Sequence, residues 1–219
     1  MLVSDLISRA RDLLLDTVSP YRTSDAELLR WASDAQRVIV SVVPEAYPES
    51  RAVQLEANTY RQKIPADALR LLDIPRNLGA TGNTPGLVIR LIGRSVLDGV
   101  NPMWTSESAA EIEHYIYDFK TPRQFMVYPA PTSAVFVEMV FSKNPPEISA
   151  NSGSLALDDS YSALILDYVA FRAFSKDVDS QTSASRAAAY MSMFSGAIAA
   201  LTGATAQRVP ASQQGGAVQ

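Results

Sequence analysis

The chain contains no cysteine and one histidine, His114, and only four of its basic residues are lysines: Lys63, Lys120, Lys143 and Lys176. Without cysteine there can be no disulfide, thiolate metal site, iron–sulfur cluster or thiol nucleophile. A single histidine excludes a two-histidine metal site and reduces histidine acid–base catalysis to one candidate. An excess of positive charge is missing too. With 19 Lys and Arg against 23 Asp and Glu, net −4, the chain lacks the basic stripe by which a nucleic-acid binder neutralises phosphates. No apolar run approaches the ~20 residues of a membrane span. Met1-Leu2-Val3-Ser4-Asp5 has neither the basic region nor the apolar core of a signal peptide. The expectation is a soluble protein made in the cytoplasm, with no membrane partner.

What is present suffices for a packed interior: 219 residues, 47% of them hydrophobic, fit one large domain or two small ones. Charged residues make up 19%, below the usual quarter, as expected where neighbours rather than water cover part of the surface. The preference for arginine over lysine has two readings. Arginine's planar fork suits protein interfaces, and a GC-rich coding sequence gives the same bias.

The pattern of apolar residues divides the chain. Val3, Leu6, Ile7, Ala10, Leu13 and Leu14 recur at helical spacing until Ser19-Pro20. Thr23-Ser24-Asp25 ahead of Glu27 forms an N-cap cluster, and Leu28, Trp31, Ala32, Ala35, Val38, Ile39 and Val42 follow on one helical face up to Pro44. From residue 53 the period changes to two. Strands are expected around 53–57, 62–64, 69–74 (ending at Pro75) and 87–92, with a turn-rich loop at 77–86. Residues 111–118 alternate, Ile112, His114 and Ile116 against Glu113, Tyr115 and Tyr117, and Thr121-Pro122 turns them into 124–128 as a hairpin. Residues 134–142 form a strand apolar on both faces. Helical spacing then returns, first behind Asp158-Asp159-Ser160 and then through Ala187, Tyr190, Met191, Phe194, Ile198 and Leu201, with Gly203 as the stop. The expected fold class is α+β: a bundle of N- and C-terminal helices (1–50 and 151–202) with an inserted antiparallel β-rich module (51–150) and a flexible tail (203–219).

Candidate chemistry is thin. His114 has no sequence-local carboxylate or nucleophile, so a hydrolase built on it would need a distant partner. Asp158-Asp159 sits where acids favour a helix start, and Glu111 and Glu113 share one face of a strand. The glycine-rich loop 79–86 has no phosphate-binding lysine and precedes a strand. Asp5, Asp12 and Asp16 form the polar side of an amphipathic helix. No catalytic, metal or cofactor site is expected.

The aromatic residues point further. Tyr115, Tyr117, Phe119, Phe125 and Tyr128 gather on the expected hairpin, with Trp104 just before it. Cross-strand packing accounts for such a cluster, and so does an assembly contact, because tyrosine and tryptophan bury large areas while keeping a polar handle. A glycan- or peptide-binding hairpin in a tail component is the alternative.

The ordered series of motifs resembles the head-to-tail adaptor, or connector, proteins of tailed bacteriophages. It runs from Thr23-Ser24-Asp25-Ala26-Glu27-Leu28-Leu29-Arg30-Trp31 and Pro44 through Gln62-Lys63-Ile64-Pro65 and Leu97-Asp98…Pro102…Trp104. It continues in His114-Tyr115-Ile116-Tyr117-Asp118, Phe125-Met126-Val127-Tyr128-Pro129 and Phe141-Ser142…Pro145, and ends in Tyr168-Val169…Arg172-Ala173-Phe174-Ser175-Lys176-Asp177 and Tyr190…Phe194. The resemblance implies a non-enzymatic virion protein at the head–tail junction. It implies a ring, commonly of twelve copies, beneath the portal protein, meeting a tail nozzle or tail-tube protein and passing packaged DNA non-specifically. The expected ring closes through heterologous contacts above roughly 2,000 Å² per pair, with Trp31, Arg37, Trp104, Tyr115, Tyr117, Phe125, Tyr128 and Arg208 as interface candidates and the tail ordering on docking.

Overall fold

A computed structural model describes residues 1–176 and 180–208, the side chains of 204–208 excepted. In chain order the elements are α1 (Val3–Leu14), α2 (Asp25–Val42), β1 (Pro48–Gln54), β2 (Arg61–Lys63), β3 (Ala68–Asn77), β4 (Arg90–Leu91) and α3 (Arg94–Val100). There follow β5 (Ser108–Ala109), β6 (His114–Tyr117), β7 (Gln124–Tyr128), β8 (Ala130–Pro131), β9 (Phe136–Lys143), α4 (Ser162–Ser175) and α5 (Gln181–Arg208). The fold is α+β. It comprises two compact units, one of Met1–Tyr47 with Pro145–Arg208 and one of Pro48–Asn144.

In the helical unit, α4 packs against α1, α2 and α5. α1 buries Val3, Leu6, Ile7 and Ala10 and ends where Leu15 turns left-handed (φ 54°). α2 starts with the expected capping box: the Ser24 hydroxyl accepts from the Glu27 N–H while the Glu27 carboxylate accepts from the Ser24 N–H. Its inner face buries Leu28, Leu29, Trp31, Ala32, Ala35, Ile39 and Val40, each large side chain contributing roughly 1.5–3 kcal/mol. Two polar residues of α2 are also interior. Gln36 Oε1 accepts from the Ala156 and Leu157 N–H groups at 2.9 and 3.2 Å, and Ser33 Oγ accepts from the Ile148 N–H at 2.9 Å. They anchor the segment that re-enters the bundle, so its buried backbone donors are satisfied. Gly203 does not stop α5, whose backbone continues to Arg208. A single glycine costs a helix about 1 kcal/mol, too little to end one with alanines at 199, 200, 204 and 206. The rest of the expected tail, 209–219, lies outside the described residues.

The β-rich unit has two main sheets, ordered β1-β9-β3 and β2-β7-β6-β4, and a short pair β5-β8. The long ladders are antiparallel, but the two-residue pairings β4–β6 and β5–β8 are parallel, so the module is not purely antiparallel. One core joins both sheets: Leu71 and Ile74 of β3, Val137, Met139 and Phe141 of β9, and Tyr115, Phe125 and Val127 of β6 and β7. β9 is central, which accounts for its apolar pattern on both faces.

Two strand expectations are corrected. β3 runs through Pro75 rather than ending there. It is an edge strand with register shifts between Asp73 and Arg76, where a missing N–H costs nothing to the ladder. Residues 87–92 form a strand only at Arg90–Leu91, since Leu87 and Val88 are 59% and 58% exposed and Ile89 alone of the six is fully buried.

Candidate assembly surfaces

The expected hairpin is present, with His114 opposite Tyr128, Tyr115 opposite Val127, Ile116 opposite Met126 and Tyr117 opposite Phe125. Tyr115 and Phe125 point into the inter-sheet core, each 2% exposed. The Tyr115 hydroxyl donates to Asp73 Oδ1 at 3.0 Å, and burial followed by the Asp73 charge pushes this phenol well above its ordinary range. Ile112, expected beside His114 and Ile116, precedes the strand and joins the Tyr115 side instead.

The opposite face of this sheet has its own smaller cluster. Ile116, Leu97 and Trp104 are buried there, with Tyr60, Ile92, Met126 and Tyr128 packed around them. Trp104 is 2% exposed, meets Tyr60 and Tyr128 edge-on, and donates from Nε1 to Asp98 Oδ1 at 2.7 Å. The half-buried Tyr128 donates to Glu107 Oε2 at 2.7 Å, and Asn101 Nδ2 donates to Glu107 Oε1 at 2.8 Å. These two bonds, the Asn101 amide first, hold the Glu107 carboxyl below its usual range.

The interface candidates therefore separate. Trp31 (8% exposed), Trp104, Tyr115 and Phe125 complete their burial within the chain itself. Tyr117 and Tyr128 are half-buried. Arg37 is half-exposed and pairs with Asp34 at 3.8 Å and Glu147 at 3.9 Å. The side chain of Arg208 lies outside the described residues. To a ligand the aromatic hairpin offers Phe119, 60% exposed with Arg70 over its ring, and parts of Tyr117 and Tyr128. That is no concave aromatic platform.

Catalytic geometry is absent among the described residues. The His114 ring stacks on Tyr128 at 6.3 Å and 8°, its Nδ1 is buried without a partner, and no carboxylate orients it. Asp158 Oδ1 accepts from the Ser160 N–H at 2.9 Å and caps the turn leading into α4, while Asp159 pairs with the Met1 amino group. Glu111 and Glu113 are exposed. In the glycine-rich loop, Gly79 and Gly82 hold positive φ, so turn geometry accounts for them. No group of three potential metal ligands exists among the described residues. A cleft of about 290 Å³ in the helical unit lies beside Gln36 and residues 146–156, and Glu147 is its only charged lining residue. No helix of the described residues is long and apolar enough to cross a membrane.

The exposed surface carries features that sequence patterning missed. All of the net charge falls in the helical unit, with thirteen acids against nine bases, while the β-rich unit balances ten against ten. The connector between α1 and α2 exposes Leu15 (82%), Val18 (78%) and Tyr21 (47%). It is nonetheless fixed. Buried Arg11 donates to the Thr23 carbonyl at 3.3 Å, pairs with Asp16 and Asp25, and lies 3.5 Å from the Tyr21 ring centroid. Asp16 also accepts from the Arg22 and Thr23 N–H groups, both at 2.9 Å. Desolvation of Asp16 is outweighed by these bonds and by Arg11, so its carboxyl is held below the usual range. α5 buries only Ser183, Ala187 and Phe194 in full among its described side chains.

A family model described as SU10 adaptor protein matches residues 1–216. No curated protein matches the chain.

Proposed function

The chain belongs to the SU10 adaptor protein family of bacteriophage adaptors, and on that footing we propose that it forms a ring beneath the portal protein, joining capsid to tail. The observation that carries this reading is the family match over residues 1–216. In this reading the protein is a virion component at the head–tail junction, its ring closes through heterologous contacts, and twelve copies is the expected number. The portal protein lies on one side and a tail nozzle or tail-tube protein on the other. Packaged DNA passes through the centre without being held, which suits an acidic chain.

The test is co-purification with the portal ring of the same phage, followed by imaging of the complex. A symmetric adaptor layer at the portal's narrow end supports the proposal, and its symmetry gives the copy number. A chain that stays monomeric and never binds the portal overturns it.

A further inference from the structure

The helical unit displays two unlike surfaces without partners among the described residues. One is the face of α5 turned away from α4. From 187 to 207 the sequence of α5 has no charged residue, yet most of its described side chains are exposed, among them Ala188, Ser192, Met193 (57%) and Ala199. A helix whose outer face meets only water normally carries Glu, Lys or Arg there. At Gly196 and Gly203 a Cβ would meet nothing within 4 Å, so the chain's own packing does not demand glycine at either position. The other surface is the α1–α2 connector. Leu15 and Val18 are the most exposed of the helical unit's described large apolar side chains, on a loop that Arg11 and Asp16 hold in one shape. Buried charge spent on fixing a loop that shows leucine and valine to water is pre-organisation for a contact.

We infer that these two surfaces meet between copies, the 15–21 connector of one protomer seating on the outer face of α5 in the next. The inference rests on the ring reading and names the surfaces that close it. Three considerations select a second copy as the occupant. The face has room: at 1.5 Å per residue and ~10 Å across, the free two-thirds of residues 181–203 presents roughly 700 Å², more than the seven-residue connector can cover, so this contact is one part of the interface between copies. The charge is right, because two acidic helical units repel wherever their carboxylates face each other, and α5 beyond Arg186 offers a surface with none. Nucleic acid would need cations that this face lacks. Finally, two unlike patches on the same protomer are what a heterologous contact requires.

The test uses the full chain. Leu15→Asp spoils the connector and Ala199→Lys spoils the α5 face, with Val18→Asp and Ala188→Glu as second variants at each surface; circular dichroism and thermal melting establish that each folds. Self-association is read by analytical ultracentrifugation, alone and on the portal ring. The expected result is at least tenfold weaker association for each variant. A mixture of one connector variant with one α5 variant should form dimers and nothing larger, because a single intact connector meets a single intact face. Folded variants that assemble like the parent overturn the inference. So do variants that still self-associate but lose the portal, or a parent chain that co-sediments with anionic phosphatidylcholine–phosphatidylserine vesicles while Ala199→Lys does not. A parent that never associates, with or without portal, overturns the ring reading itself.

Discussion

The Lys176 ammonium donates to Glu27 Oε1 at 2.7 Å, while Oε2 of the same carboxylate accepts from the Ser24 N–H and hydroxyl, both at 3.0 Å. One side chain thus closes the N-terminus of α2 and ties it to the end of α4 through two residues 149 apart in sequence. The Lys176 bond first, and then the Ser24 N–H, pull the Glu27 carboxyl from 4.5 down to about 2.

This fixes the sign of an acid effect. Because the folded pKa is depressed, the stabilisation is complete above the unfolded value near 4.5 and is lost as pH falls through about 2. Glu27→Gln keeps an acceptor for the Ser24 N–H but loses the ion pair and the charge at the helix start, and should cost about 0.5–1 kcal/mol near neutral pH. Urea unfolding should show the gap closing at the acid end. A gap that ignores pH would mean that the carboxylate charge is not the link.

Arg11→Met should loosen the α1–α2 connector more than it unfolds the bundle. Asp16, little exposed and 3.5 Å from the guanidinium, would keep only the charge of Arg22, whereas Asp25, about half exposed, keeps water and Asn151. The expected loss is about 2 kcal/mol, below that for a fully buried pair because solvent screens Asp25. Hydrogen exchange at Arg22 and Thr23, whose N–H groups Asp16 holds, should rise by more than that of α4. Arg11→Lys should recover only part of the effect, since an ammonium cannot reach three acceptors in one plane.

Asn77, 2% exposed, is the tie between β3 and the segment entering β6. Its Nδ2 donates to the Leu87 and Ile112 carbonyls at 3.0 and 2.7 Å, and its Oδ1 accepts from the Ile112 N–H at 3.0 Å. Asn77→Ala leaves buried backbone groups unmade and should cost roughly 2–3 kcal/mol in denaturant unfolding. Asn77→Asp should be worse near neutral pH than in acid, because its carboxylate would face two carbonyl oxygens. Equal loss at both pH values would count against this account.

The pattern of what was legible follows from distance along the chain. The Ser24–Glu27 box and the 114–117/124–128 hairpin are written in neighbouring residues, and the structure has both. Asn77 and Arg11 were invisible as structural ties because the groups that make them so lie far away or are backbone: Ile112 is 35 residues from Asn77, and Thr23 meets Arg11 through its carbonyl. Proline and glycine misled where tertiary context decides. Pro75 is harmless on an edge strand, and Gly203 cannot outweigh its helical neighbours. The aromatic series was ambiguous in principle, since a tyrosine beside a strand reads the same whether its ring faces a core or a neighbour.

Trp104 and Phe119 separate those two uses. Trp104→Ala removes a buried indole and its bond to Asp98, and should cost about 3–5 kcal/mol in the isolated chain. Phe119→Ser removes a ring that is 60% exposed and should change stability by less than about 0.5 kcal/mol. Thermal melting of the two variants side by side is the check, and comparable losses would contradict the burial described above.

Asp167 on α4 runs opposite to Glu27. It is half-buried, no described side chain pairs with it, and desolvation alone raises its carboxyl above the ordinary 3.8. A carboxyl whose folded pKa is raised binds its proton more tightly in the fold than in the unfolded chain. Its ionisation therefore costs stability as pH rises through that raised value, and costs nothing below 3.8, where both states are protonated. Asp167→Asn keeps the shape and removes the charge. It should stabilise the protein near neutral pH by a few tenths to about 1 kcal/mol, with the gain vanishing in acid. Parallel urea titrations at neutral and acid pH measure this directly. An asparagine variant less stable than the parent near neutrality would mean that the carboxylate is held by a favourable contact rather than stranded without one.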